Sequence, residues 1–236
     1  MKRIQQLLLK IMPGYAWFPI GAVLFLNFFT YLVPRMLYDV HPYGYVSFIE
    51  LPVDDMIPFV PAFMSIYLLC YLQWVEGFIM VGREGKSTCY RLLTAEMIAK
   101  SICLFCYFVL PTTMERPELA ADGGFWEQVC SVVYGADQPN NLFPSIHCLE
   151  SWFCFRAAMH MKKTGKWHVA VHLVFALLVL ASVVLVKQHL LLDIPAGILA
   201  VEIGLLCSRK ISFARFFEGG NKLFIKLFTK KERSAS

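Results

Sequence analysis

The chain has 236 residues, 58% of them hydrophobic and 17% charged, with a mean hydropathy of +0.56. That is too apolar for an ordinary soluble domain of this length and points to a membrane protein. The net charge of +5 does not imply nucleic acid, because the basic residues follow the membrane-topology rule instead of forming one solvated patch.

A helix needs about 17–25 mostly apolar residues to cross a bilayer, and six stretches come into consideration, at about 15–33, 57–81, 92–110, 146–161, 167–186 and 190–207. The expected fold is all-α: a polytopic membrane protein with a six-transmembrane-helix bundle, one domain over residues 1–207. The first stretch follows Lys2, Arg3 and Lys10, is longer than a secretory apolar core and precedes no small-residue cleavage site, so it is expected to stay as a signal anchor.

Charge in the connections sets the expected orientation. Arg83, Lys86 and Arg91 separate the second and third stretches, Lys162, Lys163 and Lys166 the fourth and fifth, and Arg209, Lys210 and Arg215 follow the sixth. These regions belong on the cytoplasmic side together with both termini. Asp39, Glu50, Asp54 and Asp55 in one loop, and Glu118, Asp122, Glu127 and Asp137 in another, belong on the opposite side. Residues 208–236 alternate basic with apolar side chains and read as a basic amphipathic cytoplasmic tail on the inner leaflet. The short, compact chain suggests a bacterial inner membrane, and the oligomeric state, a homo-oligomer included, stays open.

The eight cysteines show no Cys-x-x-Cys or Cys/His pattern suited to zinc, and no metal or other cofactor is expected. Cys130 and Cys148, on or near the outer side, are the pair that could form a disulfide.

Three polar islands interrupt the apolar pattern: Glu115-Arg116-Pro117, Pro144-Ser145-Ile146-His147, and His189 with Asp193. Four-residue spacing on a helix lets Asp193 hold one nitrogen of His189 and leave the other free to attack phosphorus. His147 is then a candidate proton donor to the leaving oxygen, Arg116 a fixed cation for phosphoryl oxygens, and Ser145 a hydroxyl donor beside the free N–H groups of a helix start. Taken singly, each island has a structural explanation as a helix boundary or cap. Yet all three fall on the expected outer side, a coincidence that caps and boundaries by themselves do not require.

Over residues 90–207 or so, these motifs resemble the type 2 phosphatidic acid phosphatase superfamily of integral-membrane lipid phosphatases and phosphotransferases. Its motifs are a Lys seven residues before Arg-Pro, a Pro-Ser-x-His-type segment, and Ser-Arg six residues before His-x-x-x-Asp. Here they survive as Arg116-Pro117, Pro144 to His147, and His189 with Asp193, while Val109 and Val183 replace the Lys and Arg. Ser182 stands where the family's Ser would be, and Lys187 is the candidate replacement cation from a different backbone position.

The resemblance implies catalytic His189, His147 and Asp193, substrate-binding Arg116, Ser145 and Lys187, and a phosphohistidine intermediate formed without a metal. The expected activity is hydrolysis of a phosphorylated lipid, a phosphomonoester or a polyprenyl diphosphate. The first alternative is head-group transfer of the sphingomyelin-synthase or inositolphosphoceramide-synthase type, and the second is a non-enzymatic scaffold or transporter. Elsewhere, Glu96 and Lys100 are expected to pair within the third span, Glu202 to partner Arg156 or simply lie near the inner interface, Glu150 to pack or pair, with orienting His147 or contacting substrate as the alternative, and Asp137 and Asn140 to turn the chain or touch a head group.

Overall fold

The computed structural model describes residues 9–38, 49–120 and 122–233, with side chains as far as residue 223. The described part is all-α. In chain order the helices are α1 (Gly14–Tyr38), the short α2 (Pro52–Met56), α3 (Met64–Arg83), α4 (Lys86–Val109), α5 (Phe125–Ala136), α6 (Ile146–His160), α7 (Lys166–Leu185), α8 (Asp193–Cys207) and α9 (Ala214–Arg233).

Four segments are long and apolar enough to cross a membrane: Gly14–Leu37, Pro61–Arg83, Lys86–Val109 and Lys166–Leu185. Their outward faces carry Phe25, Leu72, Phe105 and Val174, all exposed, which is the surface of a protein solvated by lipid. The chain is an integral membrane protein.

The stretches expected at 146–161 and 190–207 are helical but shorter than the other four. α6 and α8 have 15 residues each, or roughly 22 Å of rise. α6 begins where expected, directly after its polar motif, and α8 begins three residues later than expected. Ser145 caps α6, its Oγ accepting from the Cys148 N–H at 3.3 Å. Residues 186–192 are spent on turns before α8 begins at Asp193.

α4 packs against α1 and α8, while α6 packs against α3, α7 and α8. Close approach of α8 rests on small residues. A Cβ added to Gly204 would meet the Ala95 carbonyl of α4, and one added to Gly197 would meet the start of α6. The tail is less separate than expected: Phe217 of α9 is fully buried against Tyr90, and Asn221 donates to the Tyr15 carbonyl and the Tyr90 hydroxyl, both at 3.0 Å.

Ionisable groups within the helices find partners. Lys100 donates to Glu150, lies 3.4 Å from Glu96 and donates to Asn27 at 2.7 Å, all inside the protein. Arg156 pairs with Glu202 at 2.7 Å. The disulfide open to Cys130 and Cys148 is not formed. Both are free and buried in one apolar cluster, where the Cys130 thiol faces the Pro61 carbonyl.

Candidate active site

The end of α7 fixes the first part of the site. Val183 and Val184 accept from the backbone N–H groups of Gln188 and Lys187 at 2.9 and 3.2 Å, with Lys187 at φ +50°. This is the paired bonding of a Schellman turn, with lysine in the left-handed position usually given to glycine. The His189 N–H also donates to Val183, at 3.1 Å. Val183 thus offers no cation, but its carbonyl anchors the segment that carries the imidazole.

His189 Nδ1 lies 3.0 Å from Asp193 Oδ2 and 3.1 Å from the Leu142 carbonyl. Both are acceptors, so Nδ1 carries the proton, and Nε2 keeps its lone pair with no hydrogen-bond partner among the described residues. Asp193 is fully buried and also accepts from the Leu190 N–H at 2.9 Å. Its main-chain carbonyl accepts from the Ser145 N–H at 3.3 Å, joining the starts of α6 and α8.

His147, in the first turn of α6, faces His189 with ring centroids 5.8 Å apart. Three side chains of α3 hold it. Tyr67 stacks on it at 4.3 Å, Trp74 packs at 5.3 Å, and the Tyr71 hydroxyl lies 3.4 Å from Nε2. Spacings of four and three place those aromatics on one face of α3. Trp74 is itself steadied by donating to Ser151 Oγ at 3.0 Å.

Arg116 approaches from the loop after α4. It donates to the Asp137 carbonyl at 2.6 Å and to the Gln188 side-chain oxygen, and its guanidinium lies 4.5 Å above the Tyr134 ring. Nε has no partner among the described residues. Burial lowers the Arg116 pKa, opposed mainly by Asp137, and arginine starts so high that the group remains cationic. Asp137 accepts from the Tyr31 hydroxyl at 2.8 Å and from that of Tyr67 at 3.4 Å.

These groups line a cavity of about 310 Å³ that includes Arg116, His147, Gln188 and His189, with Tyr31, Tyr71, Trp74 and Tyr107 as an aromatic wall. Several polar atoms around it are buried without partners among the described residues: Arg116 Nε, Gln188 Nε2, Asn140 Oδ1 and both amide atoms of Asn141. Buried polar atoms left unpaired are costly, and a polar ligand would relieve that cost.

Of the six residues singled out by sequence, Arg116, His147 and His189 share this cavity, with Asp193 directly behind His189. Ser145 is fully buried and acts as the α6 cap, outside the lining. Lys187 lines a neighbouring cavity of about 280 Å³ and donates to the Asp54 carbonyl at 2.8 Å. Gln188, Tyr71 and Trp74 were not anticipated. The α3 aromatics had a signal in their helical spacing, whereas Gln188 had none. No protein-family model, curated protein or solved structure matches the chain.

Proposed function

We propose that this protein is a lipid phosphatase of the type 2 phosphatidic acid phosphatase kind. In this reading six helices span the membrane, both termini are cytoplasmic, and the site opens on the non-cytoplasmic face, with a bacterial inner membrane as the setting. The observation that carries the proposal is the pair of facing imidazoles, one with its Nδ1 proton held by Asp193 and its Nε2 lone pair free.

Nε2 of His189 attacks phosphorus as the bond to the lipid oxygen breaks, and His147 transfers a proton to that oxygen. His147 then removes a proton from water, whose oxygen displaces His189 and releases inorganic phosphate. Asp193 stabilises the positive charge that develops on His189. Arg116 holds equatorial oxygens through Nε, and the unpaired amide nitrogen of Gln188 adds a neutral donor from the cavity wall. The start of α6 adds a favourable dipole. No step of this route requires a metal.

The test uses the purified full-length protein with phosphatidate, polyprenyl diphosphate and lipid-alcohol acceptors, following free phosphate and new lipid species together beside His189→Ala. Phosphate release that disappears in the variant supports hydrolysis. A new phospholipid without free phosphate replaces the proposal with head-group transfer, and inactivity across the panel favours the scaffold reading.

A further inference from the structure

Glu76, His168 and His172 lie outside the cavity and take no part in the chemistry proposed for it. His168 and His172 are four residues apart on α7, so their rings leave one face of that helix. Glu76 reaches them from α3. One carboxylate oxygen is 2.8 Å from His172 Nε2, the other is 3.2 Å from His168 Nε2, and the two ring nitrogens are 3.1 Å apart.

A first-row divalent ion binds imidazole nitrogen and carboxylate oxygen at about 2.0–2.2 Å, which places neighbouring donors roughly 3 Å from one another. The three groups therefore already have the spacing of one face of a coordination shell. An orienting group is also present. Gln73 is buried, its Nε2 lies 3.4 Å from His172 Nδ1, and its Oε1 has no partner among the described residues. Exchanging the two ends of this amide gives up two long contacts to main-chain carbonyls, at 3.3 and 3.5 Å. It lets Oε1 accept from Nδ1–H and frees the Nε2 lone pair, the arrangement typical behind a metal-bound histidine.

We propose that Glu76, His168 and His172 bind one divalent first-row transition-metal ion that ties α3 to α7. The side chain of Glu76 is 44% exposed and that of His168 31%, which leaves the remaining coordination positions open. Glu76 lies five residues beyond Tyr71, about 7.5 Å along α3. The ion braces the helix whose aromatics hold His147 and does not touch the reacting groups.

The test uses full-length protein without a histidine tag, cleared with chelator and titrated with Zn²⁺ by equilibrium dialysis and with Co²⁺ by absorption spectroscopy. One Zn²⁺ per chain is expected, with at least about tenfold weaker binding in His168→Asn and Glu76→Gln, a loss of about 1.4 kcal/mol or more. Zn²⁺ should raise the melting temperature of the wild type but not of His168→Asn. Absence of a saturable site, binding unchanged in both variants, or thiolate charge-transfer bands in the Co²⁺ spectrum would overturn the proposal. Should a variant fold poorly, the wild-type Co²⁺ spectrum decides, since only nitrogen and oxygen ligation fits these residues.

Discussion

The backbone of Gly197 passes so close to Ser145 that a Cβ at Gly197 would lie 2.8 Å from the Ser145 carbonyl oxygen. Its other near neighbours would be Cys148 Cβ at 3.1 Å and the Leu149 nitrogen at 3.2 Å. The contact presses α8, which opens at Asp193, onto the first turn of α6, which holds His147. Gly197→Ala should therefore push the two halves of the site apart, with an overpacking cost of about 1–3 kcal/mol. Thermal unfolding beside turnover measures both effects, and a variant with wild-type values in each would show that the helices are free to part.

His147→Gln should cut turnover by about 100- to 10,000-fold, the usual contribution of a positioned acid–base group. Stability should change little, because the longer amide can still lie along Tyr67. A steady-state assay with a melting curve separates lost chemistry from lost fold.

Asp193→Asn tests a narrower point. Loss of an aspartate that sets a histidine tautomer can cost roughly 10⁴ in rate. Here the Leu142 carbonyl also accepts from Nδ1, so the tautomer should survive and the loss should be smaller, on the order of a hundredfold. A fall as large as 10⁴ would mean that the carbonyl does not hold the ring by itself.

Lys187 and Arg116 should behave differently despite their equal charge. Lys187→Gly keeps the left-handed turn, removes a side chain that costs roughly 1–2 kcal/mol in that conformation, and deletes the ammonium bound to Asp54. Turnover should remain within a few-fold of the wild type, whereas Arg116→Met should raise KM and lower kcat strongly. A collapse of kcat/KM in Lys187→Gly, with unchanged melting, would place the ammonium on the substrate.

Lys100→Met should destabilise the protein by about 3–5 kcal/mol, since Glu96 and Glu150 would be left buried without their cation. Adding Glu150→Gln should restore part of that loss. The denaturant midpoints of the single and double variants make the comparison.

The helices themselves were largely legible, because apolar runs and charged connections are local signals. The expected boundaries at 92–110 and 167–186 differ by only a few residues from those of α4 and α7, apart from an earlier start to α4 in Lys86–Arg91. The pairing of Lys100 with Glu96, four residues apart on one helix, was legible for the same reason. Groups brought together across helices were harder to foresee. Tyr71 touches His147 from 76 residues away, and Arg116 reaches Gln188 across 72. Glu76 meets His172 across 96, a grouping that spacing on α7 alone did not reveal. Lys187 carries a feature that spacing could not foretell: its left-handed turn lets the ammonium donate to the Asp54 carbonyl, in a second cavity that Arg116 and His189 also line.

The brevity of α6 and α8 bears on what the proposed enzyme would meet. Each rises roughly 22 Å against a hydrocarbon layer of about 30 Å. Their far ends stop just before Lys162 and Arg209, beside the basic connections, so with both helices crossing the bilayer as proposed, the shortfall of roughly 8 Å would lie at the ends where His147 and Asp193 begin. The reacting bond would then be broken in a dent in the bilayer, below the level of surrounding lipid heads. A tailed phosphate could sink there without its chains leaving the oil, whereas a water-soluble phosphate would have to give up hydration with no apolar anchor in return. Chain length would thus act as a selector through the bilayer itself.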